Sequence, residues 1–350
     1  LSRAKRKLDH ISHALKTGQK QDTGFGDIRF IHQSLPNTNV DNVSLTAYFG
    51  ELKVSSPIFI NAMTGGGGAV TEKINSQLAE LACILDIPLA VGSQMAAIKD
   101  PAEKNSYQIV RKKNPRGVIF ANIGSEATID QAKACVDMLE ANCLQVHLNV
   151  IQELVMPEGD RHFEGALSRV EKIANHVNVP VIVKEVGFGM SMETIKKIVS
   201  TGVSIVDIGG FGGTNFSKIE NERRLSPYSF FDDWGIPTAI SIAEARNAAE
   251  NITIAASGGI QTALDVAKAL ALGANVAGLA GKVLQWLTAN GLEFTLEKIN
   301  GMLYELKLIL AALGAEDISA LQRTPLVIHG NTLSWLKQRG INADDYALRG

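Results

Sequence analysis

CLQVHLNVIQE, residues 143–153, passes from a short apolar run into a cluster of polar side chains. A run of this kind reads as a strand of a parallel sheet, buried on both faces. Its end opens a loop and places His147, Asn149, Gln152 and Glu153 where a buried barrel meets solvent, and four polar groups on seven residues suggest a site. Loops are polar by default, so capping of the next helix and satisfaction of loop backbone is the competing reading. The rest of the chain decides between the two.

Short apolar, β-branched runs recur on both sides of this stretch. They are PIFINA (57–62), IPLAVG (87–92), GVIFAN (117–122), CLQVHL (143–148), VPVIVKEV (179–186), VSIVDIGG (203–210), ITIAASGG (252–259) and NVAGLAG (275–281). Amphipathic segments such as IDQAKACVDMLEA and ALDVAKALALG lie between them. Thr128 with Gln131 has capping-box spacing, and Gly202 and Gly273 sit where helices should end. Eight strand-then-helix units predict a (β/α)8 TIM barrel. IPTAIS (236–241) resembles a ninth strand but runs straight into AEARNAAE, and Ser241 with Glu244 has capping-box spacing, so it is assigned to the lead-in of a helix. The segment before it, FGGTNFSKIENERRLSPYSFFDDWG, is long enough for a lid or binding loop.

The expected organisation is one domain over 1–350, with an N-terminal arm and wrapping segment (1–50), the barrel (51–290) and C-terminal helices (291–350). A 45% apolar content can fill a large core, and a net charge of -2 gives no global attraction to nucleic acid or an anionic membrane. No stretch has the length and apolarity of a membrane span, and no signal peptide is evident, so a cytoplasmic protein is expected. Cys83, Cys135 and Cys143 fall in apolar patterns with no zinc or disulfide spacing and are expected to be buried thiols. Near the start, Arg3, Lys5, Arg6 and Lys7 precede His10 and His13. Such a run fits a solvated helix face or an arm that brings charge to a phosphate-bearing ligand.

Barrel enzymes carry their sites at the carboxyl ends of the strands. Here those ends read AMTGGGG, GSQM, NIG, HLNVIQE, KE, GGFGGTN, SGGI and GLAGK, every one polar or glycine. Glycines let backbone N–H groups approach an anion, and the loops after the seventh and eighth strands are where this fold commonly holds a phosphate. Thr214 can add a hydroxyl to the same anion. Lys184 ends an apolar strand and calls for an anionic partner or an electron-rich cofactor ring, since burial of a lone ammonium is costly.

Arg6-Lys7 with His10, AMTGG, GSQ, AN, HLNxxQE, VKEVG, GGxGGTNF, SGGI and AGLAG occur in this order over roughly residues 3–282. The chain thereby resembles the type II, FMN-dependent isopentenyl diphosphate isomerases, with HLNxxQE and GGTNF the specific part. The resemblance implies a TIM barrel that moves the double bond of isopentenyl diphosphate to give dimethylallyl diphosphate with reduced FMN, NADPH as reductant and Mg²⁺. It implies FMN held by Ala62, Met63, Thr64, Ser93, Asn122, Lys184, Thr214, Gly258, Gly259, Ala280 and Gly281. The substrate diphosphate is expected at Arg6, Lys7 and His10 of the arm and at His147 and Asn149, with Gln152 near the allylic carbons and Glu153 on Mg²⁺. His147, Asn149 and Gln152 are the expected catalytic group. An amide does not titrate in the useful range, so the reduced flavin is the expected proton carrier, with Gln152 orienting the alkene. Met95 stands where the family often has Arg. A homo-oligomer, tetramer or octamer, is the implied assembly. The enzyme alternative is an FMN-dependent 2-hydroxy-acid oxidase, but a His and Arg pair after the sixth strand is missing; a non-catalytic flavin-binding protein has no need of HLNVIQE or the arm.

Overall fold

A computed structural model describes residues 22–64 and 66–350. Three short strands precede the barrel: β1 (Ile28–Phe30), β2 (Ala47–Phe49) and β3 (Leu52–Val54). The eight apolar runs then become β4 (Ile58–Ile60), β5 (Leu89–Ala90), β6 (Ile119–Gly124), β7 (Cys143–Leu148), β8 (Val181–Glu185), β9 (Ile205–Asp207), β10 (Thr253–Ala256) and β11 (Val276–Leu279). These pair in parallel and close, β11 against β4, into a (β/α)8 TIM barrel. A last strand, β12 (Leu326–Ile328), lies antiparallel to β1 and ties the C-terminal helices to the start of the described chain.

Local chemistry sets the helix ends. Thr128 and Gln131 form the reciprocal capping box at the head of the helix Ile129–Leu139. Gly202, at φ 86°, follows the helix Met192–Val199 in a conformation that a side chain would resist. IPTAIS leads into a helix, which starts at Thr238 after Pro237. Ser241 and Glu244 are not its cap, however. They lie inside that helix, where the Ser241 hydroxyl bridges N–H and C=O of Met190 and Glu244 receives Trp335 and Arg339. The side chains serve tertiary anchoring because Pro237 has already opened the helix.

Two further expectations change. Cys83 is exposed, on the outward side of the helix Gly68–Leu85, whereas Cys135 and Cys143 are buried and burial pushes both thiols up to about 12. Residues 150–155 form a short helix, Val150–Val155, so Gln152 and Glu153 sit on helix rather than loop. The long connection after β9 holds a helix, Phe216–Asn221, and a 3-10 turn, Ser229–Phe231. Asp232 pins it by accepting from Ser217 and Asn221 at 2.7 and 2.8 Å. Among the described residues no helix is long and apolar enough to cross a membrane.

The barrel interior is layered. Side chains two apart on a strand share a face, so Phe59 and Asn61 of the β4 segment stack above one another, as do Phe120 and Asn122 of β6. Phe49, from the β2–β3 hairpin, packs on Phe59 and Phe120 with ring centroids 5.2 and 4.8 Å away and plugs the amino end. Above this aromatic layer comes a layer of buried amides, and above that the charged groups at the carboxyl ends.

Candidate functional site

The amide layer is built from Asn61, Asn122 and Gln145, all essentially inaccessible to solvent. Asn61 Nδ2 donates to Asp207 Oδ2 at 2.7 Å, Gln145 Nε2 to Asn61 Oδ1 at 3.2 Å, and Asn122 Nδ2 to Gln145 Oε1 at 3.1 Å. Asn122 Oδ1 meets His147 Nδ1 at 2.9 Å. Gln94, also buried, accepts the backbone N–H of Asn122 and donates to the Cys135 carbonyl, fixing the β6 end from outside.

Lys184 has its anionic partner in the protein. Its Nζ lies 3.4 Å from Asp207 Oδ2 and donates to the Glu185 carbonyl at 2.7 Å. Asp207 further accepts from the Ser257 hydroxyl and the Gly209 N–H. Such an array satisfies a buried carboxylate. Glu185, one residue on, turns back and accepts from the Gly187 and Phe188 N–H groups. Burial outweighs these bonds and the nearby Lys184 charge, and pushes its carboxyl up to about 7.

The glycine loops after β9 and β10 pack backbone on backbone. A Cβ on Gly258, at φ 108°, would stand 2.0 Å from the Gly210 carbonyl oxygen, and one on Gly213 would stand 2.6 Å from the Gly259 nitrogen. Only glycine permits this approach. The helix that follows β11 begins at Gly281, so its first N–H groups border the same space. A cradle of this kind suits a phosphate.

At the end of β7 the polar cluster is held by its neighbours. Asn149 Nδ2 donates to Glu153 Oε1 at 2.9 Å, and the Asp160 N–H donates to Oε2 at 2.8 Å. Gln152 Nε2 donates to Glu220 Oε1 at 3.1 Å. Glu220 is wholly buried on the helix Phe216–Asn221 and is paired with Arg223, which also bonds Glu158. With its NH2 held there, Gln152 has its carbonyl oxygen turned elsewhere.

One cavity of about 810 Å³ joins all these parts. Ala62, Met63, Thr64, Ser93, Asn122 and Lys184 line it from the first half of the barrel and its middle. Thr214, Gly258, Gly259, Ala280 and Gly281 line it from the later loops, and His147, Asn149, Gln152 and Glu153 from the end of β7. Met95 is buried in the core and does not line the cavity, so no charge comes from that position. Arg6, Lys7 and His10 lie outside the described residues. Sequence reading passed over Asn61, Gln145, Asp207 and Glu220. The first three carried a signal, a polar residue inside an apolar strand run, whereas Glu220 sits among other charged residues with nothing to set it apart.

The family of FMN-dependent dehydrogenases matches residues 122–328. The chain is 56% identical to the isopentenyl-diphosphate delta-isomerase of Bacillus licheniformis over 349 residues, covering 100% of both chains. It is 54% identical to that of Geobacillus sp. (strain WCH70), again covering 100% of both. With that of Bacillus cereus (strain B4264) the identity is 58% and the cover 99% of each. Among solved structures, a lactate oxidase of Pediococcus acidilactici superposes with a TM-score of 0.68 at 14% identity, covering 91% of this chain and 87% of that one. A mandelate oxidase variant with an FMN adduct gives 0.64 at 14%, covering 90% and 92%. At such identity the oxidases share the fold alone. Full-length identity above one half, on a barrel whose strand ends form one continuous cavity, settles the matter: the chain belongs to the isopentenyl-diphosphate delta-isomerase family.

Proposed function

We propose that the chain converts isopentenyl diphosphate to dimethylallyl diphosphate by a 1,3 shift of a proton, using reduced FMN and Mg²⁺. The observation that carries this reading is the one cavity that joins the glycine cradle of the late loops to the polar end of β7. A cofactor phosphate and a substrate diphosphate need two separate anion sites, and the cavity supplies a cradle at one end and His147 with Asn149 at the other.

The residues present fit FMN. Gly258, Gly259, Thr214, Ala280 and Gly281 would hold its phosphate, where backbone N–H groups and a helix start converge. Lys184, paired with Asp207, with Ala62, Met63, Thr64, Ser93 and Asn122, would hold the ring. When bound and reduced, with NADPH the proposed reductant, FMN supplies a group that gives and takes a proton beside the alkene.

The chain's own residues bind and orient. Arg6, Lys7 and His10 of the arm, with His147 and Asn149, take the diphosphate. Gln152, steadied by Glu220, positions the alkene. Glu153 is the only protein carboxylate assigned to Mg²⁺; among the described residues no group of three metal-binding side chains exists. One carboxylate is enough for Mg²⁺ when substrate oxygens and water complete the shell. A cytoplasmic homo-oligomer, tetramer or octamer, is the proposed assembly. The oxidase reading lacks its clamp, for residues 208–215 after β9 contain neither His nor Arg.

Turnover in heavy water tests the proposal. With FMN reduced once by dithionite under anaerobic conditions, isopentenyl diphosphate should give many equivalents of dimethylallyl diphosphate per flavin, with deuterium in the new methyl group. Product limited to one equivalent per flavin, or free of deuterium, overturns it.

A further inference from the structure

We infer that Asp207 is a positioning residue which fixes the tautomer of His147 through the side-chain amides of Asn61, Gln145 and Asn122. The consequence for turnover rests on the function proposed above; the tautomer itself does not.

The chain can be read outward from its charged end. A carboxylate opposite an ammonium only accepts, so Asn61 must present its NH2 to Asp207, as the 2.7 Å contact has it. The Asn61 oxygen is thereby turned to the other side. There it accepts from the Ala62 backbone N–H at 2.8 Å, a group that can only donate, which fixes the same orientation independently. That oxygen also receives Gln145 Nε2 at 3.2 Å, so the Gln145 oxygen faces β6 and receives Asn122 Nδ2 at 3.1 Å. Asn122 Oδ1 then faces His147 Nδ1 at 2.9 Å. An amide oxygen cannot donate, so Nδ1 carries the proton. The four donors all point the same way, towards Asp207.

Burial makes the arrangement hard to invert. Asp207 and Gln145 are 0% exposed and Asn61 and Asn122 are 3% exposed, so a flipped amide would leave like atoms facing each other with no water to satisfy them. Nδ1–H keeps its acceptor whether the ring is neutral or charged. The same carboxylate thus orients both Lys184 on β8 and His147 on β7, two side chains that are register partners at the rim of the cavity.

Nitrogen-15 NMR of the FMN-loaded protein, labelled at histidine and free of substrate, tests this. The His147 signals are assigned by their loss in His147→Asn. The parent should show a protonated Nδ1 and an unprotonated Nε2 in the neutral ring. Gln145→Met, which cannot relay the orientation, should populate the Nε2–H form and lower kcat/KM on the order of 10-fold or more. Gln145→Glu, buried as the neutral acid, can accept from Asn122 and donate to Asn61, and should restore the Nδ1–H signal. A neutral Nε2–H ring in the parent overturns the inference, and this measurement stands even if Gln145→Met fails to fold. An unchanged Nδ1–H fraction in a folded Gln145→Met also overturns it. An Nδ1–H ring in a protein without isomerase turnover would support the tautomer and sink the functional reading; turnover with an Nε2–H ring would do the reverse.

Discussion

The Lys184 ammonium stands 3.4 Å from the Asp207 carboxylate, and the two residues are register partners on β8 and β9. Both side chains are almost wholly buried, so each is what makes the burial of the other tolerable. Removing one partner of such a pair leaves an uncompensated charge, at a cost of about 3–5 kcal/mol. Lys184→Ala should therefore lower the denaturation midpoint and weaken FMN binding by at least about 10-fold. The double variant Lys184→Met with Asp207→Asn removes both charges and should regain most of the stability without regaining the flavin. Normal FMN affinity in either variant, measured by fluorescence titration, would refute the role of Lys184.

Glu153 offers a second test. Its two oxygens accept from Asn149 Nδ2 and the Asp160 N–H, so Glu153→Gln keeps the size of the side chain, removes its charge and replaces one of two acceptors by a donor. Turnover should fall by about 100-fold or more, with flavin content unchanged and the Mg²⁺ concentration for half-maximal rate sharply raised. An unaltered Mg²⁺ titration would argue against the assignment.

Glu185 should leave a mark on stability against pH. Its carboxyl is raised from 4.5 to about 7 in the fold, chiefly by burial. Below about 4.5 folded and unfolded chains both hold the proton, and the contribution is fully present. Between about 4.5 and 7 the unfolded chain releases the proton and the folded one keeps it, so stability falls as pH rises, by on the order of 3 kcal/mol, and levels off above. Urea midpoints taken from about pH 5 to about pH 8 should show the parent losing ground to Glu185→Gln across that window. Parallel curves for the two proteins would show that the carboxyl does not titrate there.

Arg6 and Lys7 supply the diphosphate clamp in the proposed reading. Replacing both with Ala should raise KM for isopentenyl diphosphate by about 10-fold or more, with kcat falling too if the clamp positions the alkene. FMN affinity should stay as it is. Identical kinetics in the double variant would return the run to a solvated helix face.

Much of this protein was legible in its sequence because parallel strands buried on both faces leave unbroken apolar runs. The runs from PIFINA to NVAGLAG became β4 to β11 in order, and the polar or glycine residue at each run's end became the wall of one cavity. Pattern served less well where a residue's role depended on a distant partner. Ser241 and Glu244 have the spacing of a cap but lie inside a helix, because Pro237 opens that helix and Met190, Trp335 and Arg339 claim the side chains. Cys83 sits in an apolar stretch yet faces outward, since a helix packed on a barrel buries only one stripe.

The sequence by itself determined the barrel, the family and most residues of the cavity, for these follow from local periodicity and from short motifs. Tertiary structure alone decided which groups meet inside. Asn61, Gln145 and Asp207 are separated by 84 and 62 positions, and no local pattern joins them. They touch because barrel closure brings the inward faces of β4, β7 and β9 to a common axis, where water is excluded and every polar atom must find its partner in the protein.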